Sequence, residues 1–246
     1  MVTPGIQAHH SLETVFSTPA FLEFWNRMLE PVSPEGILRW AYSMFANRVT
    51  LACSFSGPTG MVLLDMTARL EEHPEVFYLD TGFLFPETLR LRDIAAERYA
   101  VNPLAFNPLL SPEAQERIYG PELWKRDADA CCAIRKVQPN RNALEGKLAW
   151  ISGLRRAQAT TRKDLKIVSW DSKFGLVKIS PLANWDDDDV WSYVRLNEVP
   201  YNELHDRGYP SIGCTHCTRP VADGADPRSG RWAGSDKVEC GLHTAP

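Results

Sequence analysis

The 246-residue sequence lacks any apolar run approaching the roughly 18 to 20 residues that a membrane-spanning helix needs. Its N-terminal stretch lacks the basic start and apolar centre of a secretory signal, which sets the expectation of a cytoplasmic protein with no membrane partner. Positive charge is not in surplus: 27 Lys and Arg face 31 Asp and Glu, for a net charge of −4. That balance argues against a surface built to coat nucleic-acid phosphates and leaves any anion site to a local basic cluster. No internal repeat or low-complexity tract occurs, and 44% hydrophobic with 24% charged residues excludes global disorder and a coiled coil. Cysteine is scarce as well. Six are too few for a disulfide scaffold of this length, and in a reducing compartment they point to metal ligands or catalytic thiols.

What is present is an alternation of short β-like and helical runs. Strands are expected at 49–55, 76–79, 149–151, 166–170 and 175–179, with helices at 60–72 and 86–99. The helix at 86–99 opens on Pro86 and places Leu91, Ile94, Ala95 and Tyr99 on one face. This pattern predicts an α/β fold, a parallel-type sheet flanked by helices. The chain divides into an N-terminal helical segment at 1–34 with a packing role, a main unit at 35–217, and a C-terminal segment at 218–246. That last segment, dense in Pro, Gly, Asp and Arg, reads as a flexible tail.

Ligands of such sheets sit at the carboxyl ends of strands. Two strand-to-helix junctions have suitable chemistry. In the first, Ser54, Ser56 and Thr59 surround Gly57; in the second, Thr81 and Gly82 follow an aspartate. Small residues let the backbone approach an anion, and together the two loops favour a nucleotide pocket. Cys131, Cys132, Cys214 and Cys217 supply four thiolates, the number used by zinc sites and by iron–sulfur clusters. Adjacent cysteines converge poorly on one ion but can bind different irons of a cubane, so the spacing favours a 4Fe-4S cluster over zinc; a dithiol redox pair at 214–217 is the other reading. Cys53 reads as core. Cys240 has Lys237, His243, Arg228 and Arg231 near it in sequence, and cationic neighbours favour the nucleophilic thiolate. The run Asp186 to Asp189 reads as the acidic first turn of a helix through Val190, Trp191 and Val194 rather than as a metal site. His205 and His216 are not expected to be ligands. Trp232 is a candidate lid residue.

The segments 131–139, 153–158, 200–220 and 239–243, with the loop at 79–88, together resemble assimilatory adenylyl-sulfate reductase, the cluster-containing branch of the phosphoadenylyl-sulfate (PAPS) reductase family. The resemblance runs from about residue 35 to 243. It implies the adenine nucleotide alpha-hydrolase-like, PP-loop-related fold, and reduction of adenylyl sulfate (APS) to sulfite and AMP in sulfate assimilation and cysteine biosynthesis. The implied electron donor is reduced thioredoxin or a glutaredoxin-like protein, and the implied cofactor is one 4Fe-4S cluster on Cys131, Cys132, Cys214 and Cys217. Cys240 matches the nucleophile, which would become an S-sulfocysteine. Lys136, Arg228 and Arg231 match basic residues facing the phosphosulfate, His243 matches the histidine after the nucleophile, and one of Arg155 and Arg156 would contact the nucleotide. The loop at 54–60 lacks the full pattern of ATP pyrophosphatases, which disfavours a tRNA-thiolating enzyme on the same scaffold, and His216 stands where a proline is common. PAPS or dual-substrate reduction and a zinc-stabilised nucleotide-binding module are the alternatives; a homo-oligomer is compatible with the sequence.

Overall fold

A computed structural model of the chain describes residues 14–233, 237 and 239–243. Prolines set many of the helix starts. Helix α1 (Pro19–Leu29) and helix α2 (Pro34–Phe45) each place proline in the first turn, where its missing N–H costs nothing, and are capped by the hydroxyls of Thr18 and Ser33. The chain then enters β1 (Val49–Ala52), α3 (Pro58–Ala68), β2 (Val76–Leu79), α4 (Pro86–Tyr99) and β3 (Leu104–Phe106). A run of short helices follows: α5 (Pro112–Tyr119), α6 (Leu123–Arg126), α7 (Ala128–Cys132), a π-helical turn (Ala133–Val137) and α8 (Gln138–Ala143). The remaining regular elements are β4 (Ala149–Ile151), β5 (Val168–Asp171), β6 (Leu176–Ile179) and α9 (Asp187–Leu196).

The six strands form one sheet in the order β3-β2-β1-β4-β6-β5, parallel except for the β5–β6 pair. Strand alternation sorts side chains onto two faces. Ala149, Ile151, Val177 and Ile179 join the larger core with α2 and α3, whereas Trp150 and Leu176 pack with Phe77, Ala143 and Leu144 on the other face. The strand order reverses between β1 and β4, whose register pairs Leu51 with Ile151. Loops leaving these two strands diverge there and open a crevice, the usual ligand position in such sheets.

Two details differ from expectation. Strand β1 stops at Ala52 because the chain turns sharply at Phe55, a buried aromatic held at φ 53°. In α4, Leu91 and Ala95 are buried, but Ile94 is 45% exposed, since the helix packs along the Thr88–Leu91–Ala95 stripe. The acidic run behaves as read: Asp186 and Asp189 form a reciprocal capping box at the start of α9.

Residues 218–233 fold back on the body. Thr218 bridges Arg231, the Arg219 N–H donates to Gly230 O (2.9 Å), and the Trp232 N–H donates to Cys217 O (3.1 Å). No described helix is long and apolar enough to cross a membrane.

Candidate active site

The crevice is a cavity of about 1080 Å³ walled by the loops after β1 and β4, the π-helical turn and the folded-back C-terminal segment. From the first loop come Ser54, Ser56 and Gly57. Gly57 precedes α3 without a side-chain cap, so first-turn N–H groups of that helix face the crevice end of β1 with no side-chain acceptor. The Ser56 hydroxyl donates to Ser54 Oγ (2.9 Å), holding the loop in its turn. Thr81 also lines the cavity.

The two arginines after β4 separate. Arg155 is buried in the cavity wall, paired with Asp187 and donating to Trp185 O (3.3 Å), while its Nε has no partner. Arg156 points elsewhere: it pairs with Glu30 of the segment after α1 (2.7 Å) and with Asn184, and does not line the cavity. Of the two arginines, one of which is expected to contact nucleotide, Arg155 is therefore the one placed at the cavity. Gly82 does not line the cavity either. It adopts φ 71°, and a Cβ there would lie 3.2 Å from Pro112 and 3.4 Å from Arg135, so it serves a close backbone turn beside Arg135 rather than the cavity surface.

Lys136, Arg228, Arg231, Cys240 and His243 all reach this one cavity. Arg231 donates to Ser211 Oγ (3.1 Å) and Ile212 O (3.3 Å), keeps a buried Nε without a partner, and stacks over Trp232 at 4.6 Å. It lies directly on Gly213, where a Cβ would overlap the guanidinium. Gly213→Ala should therefore displace Arg231 and raise the apparent Kd for a bound nucleotide anion by about tenfold, one charge-assisted hydrogen bond, measured by titration calorimetry with AMP. Trp232, read as a lid, is buried against these cations. Burial alone would depress the Lys136 ammonium, but the thiols of Cys214, Cys240 and Cys132 outweigh it and hold the group above the ordinary lysine value.

Sequence reasoning missed three cations that hold the segment around Cys240, of which Arg162 lines the cavity. Arg162, in a turn after β4, clasps Glu239 beside Cys240 (2.8 Å), and Lys173 donates to Gly241 O (2.6 Å). Lys178 lies in β6 with its Nζ 3.0 Å from His243 Nδ1 and 4.8 Å from the Trp150 ring centre. A lysine at an inward position of a buried strand was the available signal. Burial pushes Lys178 down to about 8, partly offset by Asp171. Its ordinary value is 10.5, so the charged group weakens the fold below about pH 8, where it is protonated folded and unfolded alike; stability returns as pH rises toward 10.5. Urea melts across that window should show rising stability in the parent and a flatter profile in Lys178→Met.

Next to this cavity, Cys131, Cys132, Cys214 and Cys217 line a second pocket of about 10 Å³. The π-helical turn after α7 is locally wide, and it brings Arg135 and Lys136 to the same pocket as the adjacent cysteines that precede them. Thr81 Oγ1 lies 3.4 Å from Cys214 Sγ, and Arg135, buried, donates to Gln115 (2.9 Å) and Thr81 O (3.0 Å). His216 is stacked on Trp124 at 3.9 Å in the pocket wall. Burial, followed by neighbouring thiols, pushes Cys217 up to about 11; Cys131 is raised by the same two causes, and Cys132 chiefly by burial. Cys131, Cys132 and Cys217 thus resist becoming bare thiolates, and a soft metal centre would accept their charge. As placed, no three Cys, His, Asp or Glu side chains among the described residues converge as a ready single-ion site. Cys53 is buried in the core, with its thiol pushed up to about 12 by burial.

Residues 50–220 match the family model described as the phosphoadenosine phosphosulfate reductase domain. The chain belongs to this family. It is 49% identical over 225 residues to a protein of Gloeobacter violaceus named phosphoadenosine 5′-phosphosulfate reductase, covering 90% of this chain and 93% of that one. It is 47% identical over 228 residues to adenosine 5′-phosphosulfate reductase 2 of Bacillus subtilis, covering 89% and 95%. A crystal structure of PAPS reductase from Candida auris in a phosphate complex superposes with a TM-score of 0.72 at 32% identity, covering 81% of this chain and 96% of that one. The mostly parallel, helix-flanked sheet with its crevice loop at 54–60 is thus the PP-loop-type fold of the PAPS reductase family.

Proposed function

We propose that the chain reduces adenylyl sulfate to sulfite and AMP, with Cys240 as nucleophile and a separate thioredoxin-like dithiol protein as donor. The observation supporting this best is that Lys136 and Cys214 line both cavities, so the pocket of four thiols and the cavity of Cys240 share a wall. The thiolate of Cys240 attacks the sulfate sulfur; an S–S bond forms, the S–O bond to the phosphate breaks, and AMP leaves with the electron pair. Lys136, Arg231 and Arg228 stabilise the charge that develops on that phosphate. A thiolate of the donor then attacks Cys240 Sγ, expelling sulfite, and the donor's second thiol resolves the mixed disulfide. The dithiol is oxidised by two electrons and sulfur falls from sulfate to sulfite. The folded-back segment excludes water during the first step and must swing out to present the adduct in the second.

The donor set of Cys131, Cys132, Cys214 and Cys217 fits a 4Fe-4S cluster, which when bound supplies a polarisable group that takes up thiolate charge beside Lys136. The choice of APS rests on charge. A 3′-phosphate would need cations of its own, but Arg155 and Arg162 are already paired with Asp187 and Glu239, and Lys136, Arg228 and Arg231 are assigned above to the phosphosulfate. PAPS is the second reading, favoured by the name of the Gloeobacter relative. Incubating the protein with APS and no donor tests the nucleophile: stoichiometric AMP release and a sulfonated peptide containing Cys240 are expected. Release only after donor is added, or a sulfonate on another cysteine, contradicts the assignment.

A further inference from the structure

We propose that Lys178 is a positioning residue that fixes the tautomer of His243, so that the imidazole presents its Nε2–H to the anion in the cavity. Calling that anion the sulfated nucleotide rests on the function proposed above; the tautomer does not.

Lys178 Nζ lies 3.0 Å from His243 Nδ1. An ammonium has three donors and no acceptor, so at this distance Nδ1 must accept, and the one proton of a neutral imidazole is left on Nε2. The other partners of Lys178 hold it in place. It is in register with Trp150 of β4, covers that indole at 4.8 Å, and pairs with Asp171 of β5 at 3.9 Å. His243 stacks on the same indole, with centroids 5.8 Å apart and planes at 15°. One tryptophan face thus seats both groups.

The surroundings also keep the imidazole neutral. Although the residue retains some exposed surface, its ring is enclosed, and burial is the first cause holding it well below the ordinary histidine value. The charged groups acting on it are cations from four elements: Lys178 of β6, Arg162 of the turn after β4, Lys136 of the π-helical turn and Arg228 of the C-terminal segment. The nearby carboxylates are engaged, Asp171 with Lys178 and Glu239 with Arg162 and Arg228. A neutral histidine among cations donates one hydrogen bond and does not titrate near neutrality. Its anchorage also sets Cys240, three residues earlier, because Lys173 fixes Gly241 between them.

Imidazole ¹⁵N spectra of the full, cluster-loaded chain test this without substrate, with His243 assigned by the signal lost in His243→Asn. The expected result is an Nε2–H tautomer with no titration between about pH 5.5 and 8. An Nδ1–H tautomer, or a midpoint near the ordinary histidine value, overturns the proposal. In kinetics, Lys178→Met should lower kcat about 10- to 100-fold, the scale of one misplaced donor, with KM for the nucleotide within about twofold. Lys178→Arg, which keeps a donor-only cation, should restore the Nε2–H signature. A Lys178→Met protein that folds, binds AMP and retains the parent tautomer also overturns it. Absence of APS turnover in the parent would instead defeat the proposed function while leaving the spectra interpretable.

Discussion

Replacing Cys240 with serine is expected to lower sulfite release by at least about 10⁴-fold while leaving AMP affinity within about twofold. The asymmetry follows from where the residue sits. Cys240 lines the cavity, but the anion-binding role is proposed for other side chains, of which Arg231 is anchored by Ser211 and Arg228 by Glu239. A hydroxyl is a far weaker nucleophile toward sulfur than a thiolate, so chemistry is lost and binding is kept. A colorimetric sulfite assay and AMP calorimetry on the same preparation check both halves. Unchanged turnover would remove Cys240 from the mechanism. A matching loss of AMP affinity would recast it as a packing residue of the C-terminal segment.

Replacing Cys214 with serine is expected to have the second largest effect: loss of most bound iron and sulfide, with sulfite release reduced about 10³-fold or more. Cys214 is the thiol with most at stake. It lies in the wall shared by the two cavities, 3.4 Å from Thr81 Oγ1, and it is one of the neighbours that hold Lys136 above the ordinary lysine value. Removing it takes one of the four thiols from the pocket and a favourable neighbour from Lys136. Iron and acid-labile sulfide, measured on anaerobically purified parent and variant, separate this from a mere loss of folding when paired with a thermal melt. A parent that holds zinc without sulfide would contradict the cluster and favour a zinc-stabilised module.

Much of the scaffold could be read from residues. Strand β2 and helix α4 match the expected limits, because Val76–Leu79 is a compact apolar run and Pro86 marks a first helical turn. Helix α3 begins two residues earlier than expected, at Pro58, since Gly57 is extended and the proline suits the first turn. Strand β3 left no trace in the pattern. It is three residues long at the sheet edge, with Leu104 and Ala105 exposed, so no burial imprints a period on it. The region from 112 to 143 was equally silent: its helices are four to eight residues long and one turn is π-helical, which leaves no sustained 3.6-residue repeat.

The site was legible where chemistry is concentrated in short motifs and illegible where partners come from distant strands. The four pocket cysteines and Cys240 stood out by residue type. Choosing between Arg155 and Arg156 required the fold, because the two neighbours point to Asp187 and Glu30 respectively. Lys178 and Arg162 acquire their roles only when β6 and the turn after β4 meet the C-terminal segment, 65 and 77 residues away along the chain.

The central claim is tested most directly by comparing kcat/KM for APS and PAPS on the anaerobically purified protein with reduced thioredoxin, following sulfite and the released nucleotide. The account predicts equal amounts of sulfite and AMP from APS, with APS the preferred substrate. Turnover of PAPS to sulfite and adenosine 3′,5′-bisphosphate with none from APS would contradict it.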